Sequence, residues 1–328
     1  MTSRFGLYQN SIKKFIANQS IVSNYYQKNF IMDITDNSEY ILPISLLTVM
    51  NGQQKKNGLK SVHGYEMATG IELLNVLLTI IETKKFGSMV VSKGSVVIKD
   101  VSDCICQEIV SMVYQTLNRN IKNITTYYSQ EAMMKIYLIS SEHLHEKIMK
   151  INSTVTSVEI PSNLKPIQKT DLKNFHFKNS ENLLKLANIK QLPKEFLLQY
   201  INGTYGSICK LSLIFGWLIG GSSHEMITNL DRLGYHFGMM LRIAYDFVNV
   251  ENDIHNVKND VSFNYVINFG FQDAFELFDE SKKKFIEGLM TMNITTPTLK
   301  EFIDILESKV DDAIELSSPD IKSSSSHP

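Results

Sequence analysis

Residues 71–82 read IELLNVLLTIIE, and every position is apolar except Glu72, Asn75, Thr79 and Glu82. Those polar residues follow one another at spacings of three, four and three, so a helix places them on one side. The remaining faces are leucine, isoleucine and valine. A helix apolar almost all round is normally buried, so its polar stripe must meet a wet cavity or a polar partner. A second stripe lies in FGMMLRIAYDFVNVEND, Phe237 to Asp253, where Arg242, Asp246, Asn249 and Asp253 fall in a narrow helical sector. An i,i+4 pair such as Arg242–Asp246 is in itself an ordinary helical ion pair. Two such stripes on two apolar helices point instead to a cavity between them.

Helical periodicity continues through most of the chain. It predicts helices over roughly 5–30, 40–52, 61–84, 100–118, 126–148, 180–188, 193–220, 223–253, 272–290 and 297–315. Pro193 stands at the start of KEFLLQYI, Ser222 or Ser223 is placed to cap HEMITNL, and Thr296-Pro297 opens the last helix. Residues 150–180 mix β-branched residues, prolines and polar groups and read as a long connection with room for a short strand. The tail, 317–328, is rich in serine and reads as disordered. The expected architecture is therefore all-α, one helical domain over 1–316.

Composition narrows the function classes. The 33 basic and 34 acidic residues leave a formal net charge of −1, so no bulk field points to nucleic acid or an anionic membrane. Cys104, Cys106 and Cys209 are too few, and odd in number, for a disulfide framework. A reducing, cytoplasmic compartment is expected, and Cys104-x-Cys106 lacks the second pair that zinc needs. The N-terminus has no apolar signal core. The nearest approach to a membrane span is the stretch Ile208–Leu218, broken by Lys210 and Ser212. His143 and His145 fall on opposite faces of a helix, and Trp217 with the phenylalanines reads as core.

The second stripe and its surroundings resemble the trans-prenyl diphosphate synthases of the farnesyl/geranylgeranyl type. Gly203-Thr204-Tyr205-Gly206-Ser207, with the apolar run to Gly220-Gly221, is similar to that family's Lys-Thr helix. Leu233 to Asn249 is similar to its helix ending in Phe-Gln-x-x-Asp-Asp-x-x-Asp. Asn259-Asp260 and Ser262 to Tyr265 are similar to the segment after that helix, and Ile71 to Thr83 to the helix leading into the first aspartate-rich motif. The resemblance implies an isoprenoid-synthase-type helical bundle around a central cavity. It also implies magnesium held between two acidic motifs, an allylic diphosphate, isopentenyl diphosphate as second substrate, and pairing as a homodimer or with an active synthase.

Against that pattern the charged positions are altered. The first motif is reduced to Glu82-Thr83-Lys84-Lys85-Phe86, and the arginine pair expected after it is absent, with only Lys93 between Ser88 and Gly94. The three aspartates of the second motif are Tyr245, Asp246 and Asn249, preceded by Arg242 in place of glutamine. The lysine of Lys-Thr is Gly203, and the Gly-Lys expected after Asn259-Asp260 is missing. The metal candidates that remain are Glu82, Asp246, Asn249 and Asp253. Arg242, Thr204, Asn75, Lys84 and Asn259 are the candidates for binding diphosphate.

These losses favour a catalytically impaired homologue, or a partner or regulatory subunit, with Arg242 and Lys84 supplying the charge that metals supply in active members. A prenyltransferase with an altered metal set is the alternative. A class I terpene cyclase is a further one, although the Asn-x-x-x-Ser/Thr-x-x-x-Glu file of cyclases is not found here. Glu66, Met67 and Gly70 are expected at the cavity floor.

Overall fold

A computed structural model describes residues 3–18, 31–35, 38–53, 58–86, 103–167, 184–255, 257 and 260–317. The predicted tail, 317–328, falls outside them apart from Ser317, and so does Asn259. The named helices are α1 (Arg4–Asn18), α2 (Ile41–Gly52), α3 (Tyr65–Phe86), α4 (Asp103–Ile124), α5 (Gln130–Thr156), α6 (Lys194–Ile201), α7 (Ser207–Ile219), α8 (Ile227–His255), α9 (Tyr265–Thr291) and α10 (Pro297–Ser317). A short 3-10 turn, Ser61–Gly64, precedes α3, and a π-helical turn, Asn202–Gly206, joins α6 to α7. Among the described residues the only extended pairings are isolated bridges, Pro166 to Lys190 and Lys190 to Val261.

The all-α expectation holds, and the main differences lie at boundaries. Helix α5 runs to Thr156, so the expected connection starts later than residue 150. Asn152, Ser153 and Thr154 do not stop the helix, because its packed face continues through Ile151 and Val155, both buried. Of the helix expected at 180–188, residues 180–183 lie outside the described residues; 184–186 are helical and 187–188 form a turn. Helix α9 starts at Tyr265 rather than 272, because Asn264 caps it by accepting from the Ile267 N–H at 3.2 Å. Gly270 then breaks the helix with φ 85°, a conformation that disfavours any residue with a Cβ, and this is where the periodic pattern restarts. Ser223 is the cap expected of it, while Pro193, expected in the first turn, stands one residue earlier, at the N-cap of α6.

Helices α2 and α7 form the centre. Residues 41–50 of α2 and all of α7 are buried, as helices without a polar face must be. Burying each Leu or Ile contributes about 1.5–3 kcal/mol, and the small polar groups this drags inward are paired. Ser45 and Ser212 bond across the α2–α7 contact, and the Ser212 hydroxyl also donates to the Leu42 carbonyl at 2.6 Å. Helix α8 packs on α7, α9 and α10. Its approach to the π turn is so close that a Cβ at Gly238 would lie 2.6 Å from the Gly206 Cα. Asp231 of α8 ties down Lys147 of α5 and Lys210 of α7, each at 3.1 Å.

Helix α3 is the other buried rod. With the turn before it, Ser61–Phe86 is the one helix among the described residues long and apolar enough to cross a membrane, and 83 % of its apolar window is buried inside the protein. The most span-like segment is thus this one rather than Ile208–Leu218. Its burial in the core accounts for its apolarity.

Candidate functional site

The polar stripes of α3 and α8 face a common cavity of about 410 Å³. Glu72, Asn75, Thr79 and Glu82 line it from α3, and Arg242, Asp246, Asn249 and Asp253 from α8. All eight stripe residues singled out in the sequence therefore converge. Tyr200, Tyr205, Tyr245, Phe86 and Phe263 add aromatic walls, and Glu39 and Lys309 also border the cavity.

Arg242 is the hub. It is 9 % exposed, yet four polar neighbours surround its guanidinium. Nε donates to Asp246 Oδ1 at 2.7 Å, Nη2 donates to the Phe263 carbonyl at 3.1 Å, and Nη1 stands 3.6 Å from Glu82 Oε1 across the cavity. The Tyr205 ring lies beneath it, 5.1 Å from the guanidinium carbon, as a cation–π contact. Burial works against the charged guanidinium, but Asp246, Tyr205 and Glu82 outweigh it and hold its pKa well above the ordinary value.

Each carboxylate near this hub is supplied with protein donors. Glu82 Oε1 accepts from the Tyr200 hydroxyl at 2.6 Å, and Asp246 Oδ2 from the Tyr265 backbone N–H at 2.8 Å. Asn264 Nδ2 bridges, donating to the Asp246 carbonyl and to Asp253 Oδ2, both at 2.8 Å. Burial pushes the Glu82 and Asp246 carboxyls up; Arg242 opposes this in both, with Tyr200 helping at Glu82 and the Tyr265 N–H at Asp246. Asp253 is also raised by burial, against the pull of Asn264 and Arg242.

Glu72 differs from these. It is 1 % exposed, and among the described residues neither of its carboxylate oxygens has a hydrogen-bond partner. Burial raises its pKa to about 7, and the Ser38 and Asn75 side chains, near enough to be weak donors but outside good hydrogen-bond geometry, offset only part of the rise.

Other expected site residues stand elsewhere. Thr204 is fully buried in the π turn, and its hydroxyl donates to the Tyr200 carbonyl at 2.8 Å instead of reaching the cavity. The extra residue of the π turn leaves Tyr205, its neighbour, to face Arg242; such turns are frequent at functional sites. Lys84 does not line the cavity, because it comes two residues after Glu82 and so leaves the stripe's sector. Lys85 points away and donates to the Thr156 and Val158 carbonyls. Of the two cations expected to replace metal charge, Arg242 alone is in place. Glu66, Met67 and Gly70 are buried in the α3 packing, and the cavity's α3 wall begins only at Glu72. A Cβ at Gly70 would lie 2.3 Å from Thr116 Oγ1, so that glycine serves helix contact.

Sequence reasoning missed Tyr200, Phe263, Asn264, Glu39 and Lys309. Phe263 and Asn264 were within reach, since they sit in the Ser262–Tyr265 segment that carries the resemblance. Glu39 and Lys309 bond at 2.8 Å but lie far apart in the chain, and no local spacing joins them.

No protein-family model matches the chain, and no curated protein sequence matches it. Solved structures do. A geranyltranstransferase from Thermotoga maritima aligns with TM-score 0.60 at 12% identity, covering 94% of this chain and 100% of that one. A geranyltransferase from Helicobacter pylori, solved in complex with magnesium and isoprenyl diphosphate, aligns with TM-score 0.61 at 14% identity over 95% and 99%. One from Legionella pneumophila gives TM-score 0.61 at 10% identity over 94% and 96%. The class defined by the fold is thus the isoprenoid-synthase helical bundle. More narrowly, its fold is that of these geranyltransferase structures.

The stripe carboxylates Glu82, Asp246 and Asp253 do not fit a magnesium cluster. Magnesium requires near-octahedral oxygen ligation and binds through carboxylates with open oxygens. Here Glu82, Asp246 and Asp253 already accept from Tyr200, Arg242, Tyr265 and Asn264, and a guanidinium stands between the first two. Among the described residues no three His, Cys, Asp or Glu side chains converge on one point.

Proposed function

We propose that this chain is a divergent prenyl-synthase-type protein that has given up carbon–carbon bond formation and serves as a partner or regulatory subunit beside an active synthase. The observation that carries this reading is the position of Arg242, bonded to Asp246 on its own helix and facing Glu82 on the opposite one. Synthase chemistry needs divalent charge at that place to stabilise a departing diphosphate. A fixed monovalent cation, already neutralised by two carboxylates, has little left to offer a polyanion. In this reading Glu82, Asp246, Asn249 and Asp253 are structural remnants of the metal set, and Arg242 and Asn75 do not hold diphosphate. The chain acts as one helical domain over 1–316, in a reducing compartment, as a homodimer or paired with the active enzyme.

An incubation of the purified chain with magnesium, isopentenyl diphosphate and dimethylallyl, geranyl or farnesyl diphosphate tests this. No lengthened product and no hydrocarbon is expected. A lengthened product overturns the reading in favour of a prenyltransferase with an altered metal set, and a hydrocarbon overturns it in favour of a cyclase. Capture of an active synthase on the immobilised chain, with a change in that enzyme's rate, is the expected result of the partner test.

A further inference from the structure

We propose that the cavity binds a small organic cation, an alkyl- or arylammonium group, with Glu72 as its counter-ion. This shares with the proposed function the view that Arg242 fills the cation position, and it is independent of any subunit role. The first observation is Glu72 itself, 1 % exposed, lining the cavity, with neither oxygen bonded among the described residues. Ser38 and Asn75 stand near it without good hydrogen-bond geometry, and a buried carboxylate so poorly supplied is costly until a better donor arrives. The second observation is Glu39, which borders the same cavity. Its Oε1 holds Lys309 at 2.8 Å, but among the described residues its buried Oε2 has no partner.

Charge selects the ligand's sign. Among the described residues, Glu39, Glu72, Glu82, Asp246 and Asp253 line the cavity against Arg242 and Lys309, and both cations are already ion-paired. Among these groups an entering anion meets surplus carboxylate charge and two cations that are already paired, whereas an entering cation relieves that surplus. Shape and lining select an organic cation over a metal ion. Ile34, Phe86 and Phe263 give the cavity apolar walls for a hydrocarbon portion, and among the described residues no three acidic groups converge to hold a bare ion. A primary ammonium carries three donors and no acceptor. The open oxygens number the same: two on Glu72 and one on Glu39.

The test is calorimetric titration of the full chain at a pH above 7, at constant ionic strength. The probes are hexylammonium chloride, 1-hexanol as its neutral counterpart, and inorganic pyrophosphate. Hexylammonium is expected to bind at least about tenfold more tightly than hexanol, about 1.4 kcal/mol, and pyrophosphate is expected not to bind. Glu72→Gln, which keeps shape and removes charge, is expected to erase the preference for ammonium. Lys309→Met, at a partly exposed position, frees Glu39 and is expected to tighten ammonium binding several-fold; it keeps the test decisive should the buried substitution fail to fold. Equal binding of the two hexyl probes, no ammonium binding, a preference that survives Glu72→Gln, or unchanged affinity in Lys309→Met overturns the proposal. Chain-elongation activity is read separately, so a failure here and a failure of the proposed function are distinguishable.

Discussion

Arg242 Nε lies 2.7 Å from Asp246 Oδ1, one turn away on α8, while Nη1 of the same guanidinium stands 3.6 Å from Glu82 Oε1 on α3. One side chain thus closes the electrostatic gap between the two polar stripes. The arrangement is only partly a stabilising one. Ion pairs buried this deeply roughly break even against apolar packing, because desolvation offsets their attraction. Removing one partner is different, since it leaves the others buried and charged.

Arg242→Met is therefore expected to destabilise the fold by about 3–5 kcal/mol at neutral pH, with Glu82 and Asp246 left unpaired. Adding Glu82→Gln and Asp246→Asn to it should recover most of that loss, since the two carboxylates that Arg242 faced are then neutral as well. Denaturant melts of the single and triple variants measure both. A single variant within about 0.5 kcal/mol of the parent would mean that water reaches the site and that Arg242 is not the hub described.

Magnesium provides a second check on the same geometry. Ligand binding to the folded state alone raises stability with ligand concentration. In the parent chain, magnesium chloride should raise the melting temperature no more than sodium chloride of equal ionic strength. In Arg242→Gln, Glu82 and Asp246 lose their cation, and a magnesium-specific rise should emerge. Specific stabilisation of the parent chain would favour the altered-metal prenyltransferase.

Much of this site was legible in the sequence because helical period is a strong signal in apolar surroundings. In IELLNVLLTIIE the polar residues can only be a stripe, and all four line the cavity. The same spacing argument located Arg242, Asp246, Asn249 and Asp253. Thr204 and Lys84 were placed by resemblance rather than period, and neither reaches the cavity. The π turn at Asn202–Gly206 adds a residue and rotates the helix beyond it, sending Tyr205 inward and Thr204 to a backbone carbonyl. Tertiary partners such as Tyr200 with Glu82, or Glu39 with Lys309, leave no local trace, because their contacts join segments that sequence spacing does not relate.

Gly203 carries a prediction about reversibility. A Cβ there would lie 2.3 Å from Thr154 Oγ1 and 2.8 Å from its Cγ2, and threonine's branched side chain has few rotamers with which to yield. Gly203→Ala should cost about 1–3 kcal/mol by overpacking, and Gly203→Lys at least as much. Replacing Thr154 by alanine in the same chain should recover part of this. Restoring the family's lysine at this position alone thus disturbs the α5 contact before it can supply a charge. A Gly203→Lys variant as stable as its parent in a denaturant melt would contradict the close approach.

Glu72 ties stability to pH in an unusual direction. Its folded-state pKa is raised to about 7 from an ordinary carboxyl value of 4.5. Between those values the folded chain holds a proton that the unfolded chain has lost, so this group's contribution to stability falls as pH rises. It is fully favourable below the unfolded value and declines through the folded one. Glu39, Lys309 and Tyr245 border the same cavity; the Glu39–Lys309 pair has no net charge, and burial, followed by Glu39, keeps the Tyr245 hydroxyl protonated well above its ordinary range. Glu72→Gln should therefore stabilise the chain at pH values above 7, by roughly 1–3 kcal/mol, and change it little near pH 4.5, the ordinary carboxyl value. Urea melts of parent and variant across this range measure the difference. A difference that stays constant with pH would show that Glu72 is hydrated and ionised throughout, and that the cavity wall around it is open to water.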